Sequence, residues 1–531
     1  MLYAAGRNGG VVDFDIKTGK DIKLNVRPVT VCLYHEYVFE GPCRFGVGDQ
    51  LTKEFDLMNA AERHRAFVNN VNKYIGSLDY VNVMEPIMIG RDETFPVKEE
   101  MLDEMARDVA EVDLFLMNIF PFGVDFLLEF EKRYDKPMAL LHFGSNDAIF
   151  VSALTARGHE AYCWYDWDFA PHTLKVLRAR KVLKDTRILC LPRANSTASI
   201  SACDSFLDHN VVSNRLGVGF RYYNMHEFLD QTQIVDPSTN PTLPGRLGDN
   251  INEEDVEEID CIVQGLIRDA EICDMEKSAV FNSVKAHYLA KKLMAKFDCN
   301  AFTAPCPDMC ATRRLNEEQF TLCLTNSLNN ECGICSACEY DVSALISMIL
   351  LSNLSFSAPY MGNTSLGKMD AGDVLSTSPL LKKDEGGFAR TESSLSSTGG
   401  IGYTFHAVPN RRLRGYDGEQ SAYSIRPFAM GGRWGATIRY DFNQDIGQVV
   451  TMCRFDPTCS KIFVARGEIV AGAGYETENC TEGLFFKVSD GRKFFEGSLL
   501  VGNHIPLVYG DVYDEVVGFA KLKGLEVIGC A

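Results

Sequence analysis

The sequence has no apolar run long enough to cross a bilayer. Its best stretch, 344–351, is eight residues, contains Ser347 and runs into Ser352 and Asn353, whereas a spanning helix needs about 20. Positive charge is also scarce. With 53 basic against 72 acidic residues the net charge is −19, which opposes binding to a nucleic-acid backbone or an anionic membrane. No block of Lys and Arg is long enough to override it. Residues 1–15 are Gly-rich and acidic where a signal peptide would carry a basic head and an apolar core, so the expectation is a cytoplasmic protein. A dinucleotide fingerprint is missing too: the pairs Gly400/Gly402 and Gly472/Gly474 lack the strand, helix and trailing acid it needs, and no nucleotide cofactor is expected.

What is present is ordinary globular material: 46% hydrophobic, 11% aromatic and 24% charged residues in 531, enough for three or four domains at roughly 150 residues each. Eighteen cysteines lie among helical patterns in a large chain, so most read as reduced, buried thiols.

Periodicity gives the organisation. Strands are expected at 29–34, 80–83, 114–117 and 138–142, with helices over 59–76, 98–112 and 126–134, which implies a parallel sheet covered on both faces. The pattern begins again with a helix over 173–183, a strand at 187–191 and an amphipathic segment carrying Val256, Ile259, Val263 and Leu266. Pro237, Pro241 and Pro244 with Gly245 and Gly248 place a loop over 236–249. A Ser-, Gly-, Thr- and Asp-rich segment spans 362–402, too long for an idle connection. Beyond it come short β-rich runs, a helix over 513–522 and a strand at 525–528. The fold expected is α/β: two doubly wound N-terminal domains, 1–170 and 171–355, and a β-rich C-terminal domain, 356–531.

The densest chemistry is the run Cys332, Cys335, Cys338, Glu339 and Asp341, just before an apolar helix starting near Val342. With Cys306 and Cys310 upstream, five thiols can hold zinc or an iron-sulfur cluster, serve a redox role, or simply pack around a strand end. A carboxylate at a strand-to-helix junction, as at Glu339, points into the crevice where open α/β sheets bind ligands. Asp341 suits a helix cap. Arg411, Arg412 and Arg414, with Trp434 beyond, offer contacts to an anionic substrate group and stacking on a ring, or else a solvated loop and core packing. The aromatic run Tyr162, Trp164, Tyr165 and Trp167 divides in the same way between stacking and core.

The strings Ala337-Cys338-Glu339-Tyr340-Asp341, Met361-Gly362-Asn363, Phe405-His406-Ala407 and Gly502-Asn503-His504 resemble the L-fucose isomerase and L-arabinose isomerase family. The order of domains agrees with that plan, and the motifs are strongest from about Cys338 onward. The resemblance implies an aldose-ketose isomerase working through a cis-enediolate. It implies a divalent cation, usually manganese, held by two carboxylates and at least one His, and a homo-oligomer, a hexamer or trimer, with sites between subunits. Glu339 matches the first carboxylate ligand and is the candidate base, His504 matches the C-terminal His, and His406 matches the additional His. The second carboxylate falls on Asn363, 24 residues after Glu339. Asn can offer a neutral carbonyl oxygen to a hard cation but cannot act as a base, so Asp370 and Asp373 become candidates for the missing acid. Without the resemblance His504 is a hydrogen-bonded core histidine and Asn363 a turn residue. Two further readings stay open: an iron-sulfur or thiolate-metal enzyme, and a sugar-binding relative that lost turnover with the change at Asn363.

Overall fold

A computed structural model describes residues 14–36, 47–92, 97–120, 123–141, 146–193, 202–235, 248–366, 400–429, 431–476 and 479–530. The chain divides into two compact units, Asp21–Arg178 and a second built from the described residues of 1–20 and 179–531.

In the first unit a six-stranded parallel sheet runs Val81–Val83, Leu24–Leu33, Leu114–Phe120, Met138–Leu141, Ala161–Trp164, with Ile87–Arg91 also on the outer side of Leu24–Leu33. Counting the two short edge runs as one position, the spatial order is 2-1-3-4-5, the doubly wound arrangement expected. Leu24–Leu33 is buried almost throughout, as a central parallel strand covered on both faces must be. The helix expected over 98–112 is shorter, Glu99–Met105. Asp108 then turns left-handed at φ 54°, and its carboxylate pairs with Arg27 at 3.2 Å. His142, expected to end the fourth strand, lies outside the described residues.

The second unit begins with another parallel sheet, ordered Ser336–Ala337, Ala301–Thr303, Arg187–Cys190, Gly219–Tyr222. The chain order reverses between Arg187–Cys190 and Ala301–Thr303, so this sheet is doubly wound as well. One of its helices, Glu253–Asp269, starts with a reciprocal Asn252/Asp255 capping box and buries Ile259, Ile262, Val263 and Leu266. Caps of this kind satisfy amides that the first helical turn leaves without partners.

The β-rich part is a seven-stranded sheet ordered Asn363–Leu366, Ile401–Phe405, Gly483–Lys487, Lys461–Ala473, Val449–Phe455, Leu507–Tyr509, with Glu526–Cys530 parallel to the start of Lys461–Ala473. All its other pairings are antiparallel. A smaller three-stranded sheet joins Trp434–Arg439, Ser424–Ala429 and Ile272–Cys273. Between the parallel sheet and the larger antiparallel one lies the helix Val342–Ser355, buried along all its length except Ser355. A helix apolar on every side needs cover on every side. Two of its buried serines bond to the sheet: Ser343 Oγ donates to the Phe455 carbonyl at 2.7 Å and Ser347 Oγ accepts from the Phe455 N–H at 3.2 Å.

The two ends of the Ser- and Gly-rich segment are adjacent strands, Asn363 standing opposite Phe405 and Leu366 opposite Gly402. Residues 367–399, with Asp370 and Asp373, lie outside the described residues, as do 236–247 with Pro237, Pro241 and Pro244. Among the described residues no helix is long and apolar enough to cross a membrane.

Candidate metal centre

Glu339 follows the last strand of the second parallel sheet, at the carboxyl ends where open α/β sheets bind ligands. The chain there is strained: Glu339 and Tyr340 both have φ 61°, a left-handed conformation costing roughly 1–2 kcal/mol for each non-glycine residue. Backbone bonds hold it. The Cys338 N–H donates to Met361 Sδ at 3.3 Å, the Tyr340 N–H to the Ala304 carbonyl at 3.0 Å and the Asp341 N–H to the Cys338 carbonyl at 3.2 Å. The turn leaves the Glu339 side chain 19% exposed and facing two buried imidazoles.

Those imidazoles come from the antiparallel sheet. His406 stands immediately after Ile401–Phe405, pinned by its N–H to the Glu482 carbonyl at 2.9 Å. His504 lies opposite Asn363 in an antiparallel bridge. His406 Nε2 is 3.4 Å from Glu339 Oε1 and His504 Nε2 is 3.7 Å from Oε2. One ligand atom from each of the three residues lies within 4.8 Å of the others. Bonds of about 2.0–2.2 Å meeting near 90–110° set ligand atoms roughly 3.0–3.6 Å apart, close to these separations.

Asp341 fixes how His504 presents itself. Its Oδ2 accepts from His504 Nδ1 at 2.9 Å and from Arg454 Nη1 at 2.7 Å, while Oδ1 caps the following helix by accepting from the Ala344 N–H at 3.0 Å. Burial pushes the Asp341 carboxyl up, but Arg454 and His504 outweigh it and hold the group well below the ordinary carboxylate range. An ionised carboxylate only accepts, so in the neutral imidazole of His504 the proton sits on Nδ1 and the lone pair on Nε2. That Nε2 is buried and has no hydrogen-bond partner. A carboxylate-oriented imidazole with an unpartnered nitrogen facing a second carboxylate is the donor arrangement of a metal site. Burial favours the neutral form of His406, against the pull of Glu339; its Nε2 is bonded to Glu339 and its Nδ1 is unpartnered, so it offers Nε2 to a cation once the proton moves to Nδ1. The residues present therefore fit a divalent cation.

The remaining site residues read from the sequence fall in different places. Asn363 is next to His504 across the bridge, and its Oδ1 accepts from Asn503 Nδ2 at 2.7 Å. Arg411 is 3% exposed and forms a two-pronged ion pair with buried Glu331, its guanidinium lying over the Tyr423 ring at 4.6 Å. Arg414 pairs with Asp445. Among the described residues Arg412 has no carboxylate within ion-pair distance. Trp434 packs partly buried against the core of the second unit. Of the five thiols, Cys306 lies beside both Cys310 and Cys338, while Cys335 meets Ser352 and Cys332 lies near Glu331 and Lys291. Burial pushes Cys335 up to about 12. Among the described residues no metal-ligand group of three contains a cysteine.

Sequence reasoning found the cap at Asp341 but missed its bond to His504, and missed Arg454, which is fully buried and also donates to the His504 carbonyl at 2.7 Å. The available signal was the two-residue spacing of Glu339 and Asp341 around one turn. No protein-family model matches this sequence, and no curated protein matches it significantly.

Proposed function

We propose that the protein is a divalent-cation-dependent aldose-ketose isomerase, with Glu339, His406 and His504 holding the cation. The observation that carries the reading is the convergence of these three side chains, from the three segments that resemble the L-fucose and L-arabinose isomerases. Two imidazoles and one carboxylate suit manganese, iron(II) or zinc. When bound, the cation supplies positive charge beside two adjacent sugar oxygens as negative charge builds on them.

The chain's own groups supply the rest. The Glu339 carboxylate takes the proton from C2 of the aldose and returns it to C1, while the proton on O2 leaves and one is gained at O1, so the base ends as it began. Asp341 keeps the His504 proton on Nδ1, and His504 acts as a ligand instead of a base. Asn363 offers a neutral amide where a second carboxylate would stand. Arg412, which unlike Arg411 and Arg414 has no carboxylate partner among the described residues, offers its guanidinium to an anionic sugar substituent. A homo-oligomer with sites completed by a neighbouring subunit is part of the same reading.

The test is conversion of a panel of neutral and anionic aldoses by chelator-stripped protein with and without manganese. Ketose formation that requires manganese and disappears in Glu339→Gln supports the reading. Cation binding without conversion of any sugar in the panel refutes it.

A further inference from the structure

A second set of metal-ligand side chains lies within the unit Asp21–Arg178, built around a helix end. Glu131 is in the last turn of the helix Val124–Tyr134, and Asp135 is that helix's left-handed cap at φ 45°, ψ 55°. His159 sits in the turn that leads into the strand Ala161–Trp164. His159 Nδ1 is 3.4 Å from Asp135 Oδ1 and 3.8 Å from Glu131 Oε2, and one ligand atom from each residue lies within 4.8 Å of the others. Bonds of about 2.0–2.2 Å around a four-coordinate ion set ligand atoms roughly 3.3–3.6 Å apart, which the first of these separations meets and the second exceeds slightly.

The independent observation is Glu131 itself. It is 1% exposed, its Oε2 accepts from the Lys136 N–H at 2.8 Å, and its buried Oε1 has no hydrogen-bond partner. A buried carboxylate is normally paired or bound to a metal, since burial penalises its charge. Here burial pushes the Glu131 carboxyl up to about 8, with Asp135 and Glu160 adding to the effect. The nearby Lys136 ammonium, which donates to the Val112 carbonyl at 2.8 Å, offsets this only in part. The helix C-terminus adds partial negative charge of its own. Access is open from one side, because the Asp135 side chain is 85% exposed.

We propose that Glu131, Asp135 and His159 hold a zinc-class divalent cation, with water completing its shell, and that the ion ties the end of the helix to the turn before Ala161–Trp164. A ligand set of one imidazole with two carboxylates favours zinc over calcium or magnesium, which take oxygen ligands in larger or octahedral shells. The site is separate in its residues from Glu339, His406 and His504, and stands or falls without them.

The test uses the full chain carrying Glu339→Gln and His504→Ala, stripped with chelator and titrated with zinc chloride by calorimetry. One zinc per chain is expected to remain. Asp135→Asn, which keeps an αL-tolerant residue at an exposed position, is expected to weaken binding by tenfold or more. Glu131→Gln should abolish both the binding and the rise in melting temperature that zinc produces. Absence of zinc binding in the starting variant overturns the proposal, and so does binding that Asp135→Asn leaves unchanged. The Asp135 variant decides the matter even if Glu131→Gln does not fold.

Discussion

Replacing Asp341 by Asn changes almost no volume and removes one charge, so its effects isolate what that carboxylate does. In the folded protein its two oxygens accept three bonds, from His504 Nδ1, Arg454 Nη1 and the Ala344 N–H, all in a buried environment. An amide in the same place has one acceptor and one donor. If its oxygen faces Ala344, its NH2 meets two donors; if it is turned around, the Ala344 N–H loses its partner. Leaving buried donors unsatisfied costs about 1–3 kcal/mol each, and breaking a buried ion pair about 3–5 kcal/mol. Asp204, 3.3 Å from Arg454, limits the loss to the lower part of that range. The NH2 also favours the other tautomer of His504, which places the proton on Nε2 and removes the lone pair aimed at Glu339. Changes to such supporting carboxylates lower metal affinity about 10- to 100-fold, or roughly 1.4–2.7 kcal/mol. Manganese titration of stripped protein by calorimetry, at a temperature where circular dichroism shows the variant folded, measures this directly. An affinity within twofold of the parent would refute the assignment of Asp341 as the group that orients His504.

Three further outcomes are expected. Glu331→Gln leaves the buried Arg411 guanidinium without its counter-charge and should lower stability by about 3 kcal/mol in urea denaturation; a loss under 1 kcal/mol would show that Arg411 has another partner for its charge. His287 is buried, with Nδ1 unpartnered, and burial lowers its pKa from 6.5 to about 3. As pH falls below about 6.5 the unfolded chain binds a proton that the folded chain refuses until about pH 3, so stability drops across that window. The ceiling is about 5 kcal/mol at 1.36 kcal/mol per unit, and His287→Leu should flatten the acid limb of the stability curve; identical limbs would contradict the reading. Asn363→Asp keeps the acceptor used by Asn503 and adds a negative charge next to His504. It should tighten manganese binding by roughly tenfold, and weaker binding would place residue 363 outside the metal's reach.

The sequence was most legible where one physical signal dominates. The helix Tyr513–Leu522 occurs where expected, and the short β-rich runs beyond the Ser- and Gly-rich segment include the strand Val449–Phe455. Both parallel sheets follow from alternating strand and helix patterns. The strand Ile87–Arg91 was missed because its Gly90 and Arg91 dilute the β-rich signal, although Arg91 is buried and paired with Asp125. The site was legible as separate strings of residues, but not as a constellation. Glu339, His406 and His504 are separated by as many as 165 positions, and the pairing of Asn363 with both Phe405 and His504 brings the two histidines together. The partners of the arginine run were hidden for a related reason: those of Arg411 and Arg414 are Glu331 and Asp445, far away in the sequence. No local pattern distinguishes a guanidinium facing a ligand from one already committed to a buried carboxylate.

The central claim is that these three side chains hold the cation, and pulsed electron paramagnetic resonance of the manganese-loaded protein tests it most directly. The account predicts hyperfine coupling to two imidazole nitrogens, one lost in His406→Ala and the other in His504→Ala, with manganese released in Glu339→Gln. A spectrum of fully hydrated manganese, or nitrogen couplings that survive both histidine substitutions, would contradict it.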